Sequence, residues 1–179
     1  MYKAYLQIDD LKLPGTLDMY VIKRTQEELH ECNKLLKVHE IFEGIAQMDF
    51  HCIAALILQS VLRVSGLDEE EFIKIYLKER SDDKIAQKLL NESKYLNELL
   101  KKFMFKSKEQ KEDDEFEEIP NFTEDKSKDW DFPYMEFFWT TKLKRNDFWA
   151  ITPKHYFEQI EIYERVNGSN KEKEETEYL

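Results

Sequence analysis

The groups through which this chain could do chemistry are four histidines, two cysteines and 38 carboxylates spread over 179 residues. Metal binding or general acid–base work needs such groups to converge at fixed spacing. His30, His39, His51 and His155 form no H-x-x-x-H or H-E-x-x-H pair, the spacings that aim two imidazoles at one ion. His39 and Glu43 stand four residues apart and share a helix face, but two groups complete no metal site, and an exposed polar face accounts for them. Cys32 and Cys52 have no ligand spacing and read as reduced, buried thiols. The acid runs DEEE (68–71) and EDDEFEE (112–118) read as solvated surface. There is no Gly-rich phosphate loop and no Ser or Cys in a nucleophile-elbow context. The expectation is a non-enzymatic protein with no metal and no cofactor.

Recognition is better represented than catalysis. Residues 130–163, WDFPYMEFFWTTKLKRNDFWAITPKHYFEQIEIY, hold all three tryptophans of the chain. Aromatic side chains at this density must be buried, against each other or against a partner. One use is a local core in which Phe137, Phe138, Trp149, Tyr156 and Phe157 pack two helices together. The other leaves Trp130, Tyr134 and Trp139 as outward anchors, since Trp and Tyr bury much area at low entropy cost. Both uses are expected within the block. The partner-binding candidates are therefore Trp130, Tyr134, Phe138, Trp139, Phe148, Trp149 and Tyr156. A second candidate face, Leu35, Val38, Phe42 and Ile45, has the spacing to line a groove for an amphipathic helix, with packing inside a bundle as the favoured use.

Four glycines, four prolines and 36% charged residues favour helices over a turn-rich β fold. Residues 3–8 suggest a short strand or ordered lead-in, closed by the Pro14-Gly15 turn signal. From Leu17 the apolar positions recur at helical spacing. A strand over 19–22 that turns helical at a Thr25/Glu28 capping box stays open as an alternative. Val38, Ile41, Phe42 and Ile45 mark a second helix. Asp49 suits the N-cap of a helix over 50–64 that is apolar nearly all round, hence central. Gly66 suits its C-cap, and Asp68 with Glu71 forms a capping box for the next helix. Ser81 opens a long amphipathic helix with the stripe Ile85, Leu89, Leu90, Tyr95, Leu96, Leu99, Leu100 and Phe103. In the aromatic block a helix runs from Asp131 or Phe132-Pro133 to Lys144. Asp147 caps a short turn, and Thr152-Pro153 starts a last helix.

Charge divides the chain. Residues 109–129 hold 3 basic and 10 acidic side chains, whereas residues 1–108 hold 17 and 18. The expected layout is mainly α: a small helical bundle over 1–106 with a short N-terminal β-element, an acidic flexible linker over 107–129, an aromatic helical module over 130–168 and a disordered tail over 169–179. Clustered Lys/Arg is absent, which argues against nucleic acid as a partner. The first residues, MYKAYLQIDD, carry no signal-like apolar run, and the longest apolar stretch, CIAALIL at 52–58, is too short to cross a bilayer. A soluble chain with no membrane partner is expected.

Two stretches together resemble a known family. NKLLKVHEIFEGIAQMDFHCIAALILQSVLRVSGLDEEEF is similar to the middle of the tail assembly chaperones of long-tailed bacteriophages. DFWAITPKHYFEQIEIYER resembles the C-terminal extension of their longer, frameshift-fused form, with Asp147, Trp149, Thr152, Pro153, Tyr156 and Phe157 at the matching positions. The resemblance covers about two-thirds of the chain; the region up to Leu17 departs from it. It implies a chaperone in the host cell cytoplasm, absent from the mature virion, whose body binds the tape measure protein. The C-terminal extension would recruit the major tail tube protein, and self-association is compatible with coating a long chain. The alternative is a helical adaptor that docks a host partner through the aromatic block.

Overall fold

The computed structural model describes residues 3–104 and 128–176; the acidic segment, apart from Lys128 and Asp129, lies outside the described residues. The fold is mainly helical with a small N-terminal sheet. Its elements are β1 (Ala4–Ile8), β2 (Leu11–Gly15), α1 (Met19–Glu31), α2 (Val38–Ala46), α3 (Phe50–Ser65), α4 (Glu69–Tyr76), α5 (Asp82–Phe103), α6 (Phe132–Thr141), a 3₁₀ turn (Phe148–Ala150) and α7 (Pro153–Thr176).

The two strands form an antiparallel hairpin in which Ile8 pairs with Leu11 and Ala4 with Gly15. Its turn is Asp9-Asp10 and not Pro14-Gly15, because Asp9 tolerates the positive φ of 50° that a tight hairpin demands. Pro14 lies within β2, opposite Tyr5. Alternate residues Ala4, Leu6 and Ile8 are buried, as a strand with one face on a core requires. The hairpin packs on α5 through β1 and on α3 through β2. At Gly15 the backbone passes so close to Tyr95 that a Cβ would overlap its hydroxyl. That hydroxyl is 2.8 Å from Ser60 Oγ, which joins α5 to α3 beneath the hairpin.

The helix starts follow their caps. α1 begins at Met19, capped by Asp18, whose carboxylate accepts from the Val21 N–H. The strand alternative over 19–22 and the Thr25/Glu28 box therefore drop out, and the Thr25 hydroxyl donates to the Val21 carbonyl instead. Asp49 accepts from the N–H groups of His51 and Cys52 to start α3, Gly66 closes it at φ 79°, and Asp68 and Glu71 form the capping box of α4. α2 and α3 meet at 111°. The corner between them is Met48, held left-handed at φ 62°. α3 is the central element, with nine of its residues buried from Cys52 to Val61. No single described helix is long and apolar enough to cross a membrane.

Two extents differ from the sequence expectation. α6 stops at Thr141, where the hydroxyls of Thr140 and Thr141 bond back to carbonyls of the preceding turn. The backbone of α7 runs on through Gly168 to Thr176, where a disordered tail was expected. Glycine inside a helix costs only about 1 kcal/mol, and the Lys/Glu-rich sequence that follows is a good helix former.

Candidate functional site

The aromatic block spends most of its large side chains on itself. Trp139 is fully buried; its ring lies 5.7 Å from Tyr156 and 5.8 Å from His155, and its Nε1–H donates to Asp147 at 2.9 Å. Asp147 thus ties α6 to the following turn through its side chain, and makes no side-chain cap bond to that turn. Phe148 sits between Trp149 and Tyr156 at 4.8 and 5.8 Å. Trp130 packs edge-on against Phe132 and Phe157. The half-buried Trp149 donates its Nε1–H to Glu136 at 2.8 Å. Burial pushes the Tyr156 phenol up to about 12.

These contacts correct the sequence reading of individual positions. Trp130 and Trp139, expected as outward anchors, are core residues, as are Phe148 and Tyr156. Phe137, expected inside, is 58% exposed beside Tyr134 at 60%. The physical reason is periodicity. Phe132, Met135 and Trp139 share one face of α6, and Tyr134 and Phe137 fall on the other. The exposed pair continues into Phe138, half-buried between Tyr134 at 6.5 Å and Tyr163 at 5.1 Å. This ridge on α6 and α7 is the outward aromatic surface of the block.

The block is seated on the helical body. The buried Asp18 carboxylate accepts from Arg63 Nε at 2.9 Å, and Arg63 donates through Nη2 to the Trp149 carbonyl at 3.4 Å. The Met19 N–H donates to the Ile151 carbonyl at 2.9 Å, and Lys23 lies over the Trp149 ring at 5.1 Å. Asp129 accepts from the N–H of Val38 at the start of α2 and from Gln26 Nε2. One continuous apolar cluster runs from Ala4 to Tyr156, so the parts on either side of the acidic segment pack together.

Leu35, Val38, Phe42 and Ile45 do not line a groove. Val38, Phe42 and Ile45 are buried against the rest of the bundle, and Leu35 alone is exposed, at 79%. A different groove opens between α1, α3 and α4. Its walls are Glu28, Leu29 and Cys32 of α1 and its cap, Phe50, His51, Ala54, Ala55 and Leu58 of α3, and Phe72, Ile73, Tyr76 and Leu77 of α4 and its cap. Its volume is about 250 Å³. Leu29, Phe72 and Tyr76 form a buried floor, and Phe50, Ile73 and Leu77 stand exposed at the rim. It lies at the C-terminal end of α1, away from the Asp18–Arg63 pair at the helix's start. The sequence reading missed these residues because Phe50 belongs to a helix that is apolar nearly all round. The run Phe72, Ile73, Tyr76, Leu77, at i, i+1, i+4 and i+5, was the available signal.

Among the described residues no three His, Cys, Asp or Glu side chains gather where they could hold an ion. The Lys34 ammonium and the N–H groups of His51 and Cys52 hold the Asp49 carboxyl at about 2. Burial raises the Cys52 thiol and the Tyr76 and Tyr95 phenols, which belong to the packed interior, whereas Cys32, expected to be buried, is exposed at the C-cap of α1. The molecule is a mainly helical protein whose exposed apolar surfaces, among the described residues, include a groove on the body and an aromatic ridge on the C-terminal block. Comparison with protein-family models, curated proteins and solved structures finds no match for the chain.

Proposed function

We propose that this chain is a non-enzymatic tail assembly chaperone of a long-tailed phage, acting in the host cytoplasm. It shields apolar helix faces of the tape measure protein and recruits tail tube subunits through its C-terminal block. The observation that carries the reading is the open apolar groove between α1, α3 and α4, whose rim residues Phe50, Ile73 and Leu77 have no cover in the chain's described part. A groove of this kind accepts the apolar face of an amphipathic helix, the recurrent feature of a long helical client. The ridge of Tyr134, Phe137 and Phe138 is the second, separate surface, suited to a folded subunit.

Because the block packs on α1 and α3, removing it would uncover body surface, and surface substitutions make the cleaner test. The full chain is co-expressed with the long helical protein and the tube protein of the same phage, and each is recovered by pull-down. Phe50→Glu with Leu77→Glu is expected to lose the long protein and keep the tube protein. Tyr134→Ala with Phe137→Ala is expected to do the reverse. Recovery of neither protein by the unaltered chain overturns the reading and leaves a helical adaptor for a different partner.

A further inference from the structure

The groove has a charge character that narrows its occupant. Along α4, exposed Glu69 stands three and four residues before Phe72 and Ile73, on the same helix face and outside the groove's lining. On α1, Glu28 is itself part of the wall, and Glu31 is exposed one turn further on. The basic groups that face the groove are mostly paired. Lys34, which also touches His51, pairs with Asp49 at 3.1 Å, and Lys74 with Glu70 at 2.7 Å. Lys88, over the Tyr76 ring, pairs with Glu92, while Lys78 is exposed beside Leu77. Glu28 Oε2 accepts from Gln59 Nε2 at 3.1 Å, and among the described residues no donor reaches Oε1. A carboxylate beside an apolar floor and half removed from water attracts a cation more strongly than one in bulk solvent.

Resting on the groove reading above, we infer that the groove selects an amphipathic helix whose apolar stripe is flanked by lysine or arginine, one of which pairs with Glu28. A second copy of this chain is the weaker occupant. At a formal net charge of −11 two copies repel, whereas a basic-flanked helix is attracted before contact.

The test uses three labelled helical peptides with one leucine stripe at i, i+3, i+4 and i+7. They are flanked by Lys, Gln or Glu and titrated with the full chain by fluorescence anisotropy. At about 0.1 M salt the Lys-flanked peptide is expected to bind about tenfold tighter than the Glu-flanked one, with the gap closing toward about 0.5 M. Glu28→Gln and Glu69→Gln should each narrow the gap, with circular dichroism confirming that both variants stay folded. Leu77→Asp should remove binding of all three peptides. Equal affinity for the three, still lost in Leu77→Asp, overturns the charge selection and leaves the groove reading standing. Failure of all three to bind overturns both. Dimerisation of the chain that Leu77→Asp abolishes assigns the groove to a second copy and overturns the inference.

Discussion

The aromatic block and the α1–α3–α4 groove make opposite use of apolar side chains. In the block, Trp139, Phe148 and Tyr156 are wrapped by one another, and polar atoms of the same segment satisfy the indole N–H groups of Trp139 and Trp149. In the groove, aliphatic and aromatic side chains of lower density form a floor with an uncovered rim. Residue type therefore does not mark the open surface. Large aromatics close a small unit because each brings many contacts, and the indoles of Trp139 and Trp149 add a polar handle that finds a partner nearby. Modest apolar residues on a short helix can be left open, because no later element of the described chain crosses them.

Perturbing the two regions separately sharpens this contrast. The largest effect is expected from Trp139→Ala, which empties the centre of the block and orphans Asp147; about 3–5 kcal/mol of stability should be lost in denaturant titration. If the block were a loosely attached appendage, the loss would be far smaller. Asp18→Ala removes the cap of α1 and leaves Arg63 without its carboxylate, so about 3 kcal/mol should be lost. Near-UV circular dichroism should show Trp149 loosened, since Arg63 also holds its carbonyl.

A smaller effect concerns pH at the N-cap of α3. The folded-state value of Asp49 lies at about 2, below the ordinary 3.8, so its contribution is fully present above pH about 4 and is lost as pH falls toward 2. Asp49→Asn keeps a capping oxygen, gives up the Lys34 pairing and should flatten the acid limb of the stability profile over that window. The smallest effect is expected from Leu77→Ser, which should change stability by less than about 0.5 kcal/mol, because the side chain is 65% exposed. A thermal melt shifted as far as that of Trp139→Ala would show that the groove is core and not surface.

Much of the fold was legible residue by residue. Asp49, Gly66, Asp68 with Glu71, and Thr152-Pro153 stand where the helix ends require them, because a cap is a local bond between a side chain and its own first turn. The long stripe of α5 was legible only in part. Tyr95, Leu96, Leu99 and Phe103 are buried, while Ile85, Leu89 and Leu90 are exposed, because the body covers only the C-terminal half of that helix. Periodicity gives the face and leaves open how much of it has a neighbour.

The sequence by itself thus determined the mainly helical class, most helix starts, and the concentration of aromatics into one C-terminal block. Those properties depend on dihedral preference, capping and spacing within a few residues. Only the tertiary structure decided that Trp130 and Trp139 face inward and Tyr134 and Phe137 outward. It also decided that Val38, Phe42 and Ile45 are core, and that Leu29, Phe50, Ile73 and Leu77 meet at one groove. Each of those outcomes depends on which distant segment arrives to cover a face, as Ile151 and Trp149 do at the start of α1, and no local spacing encodes that arrival.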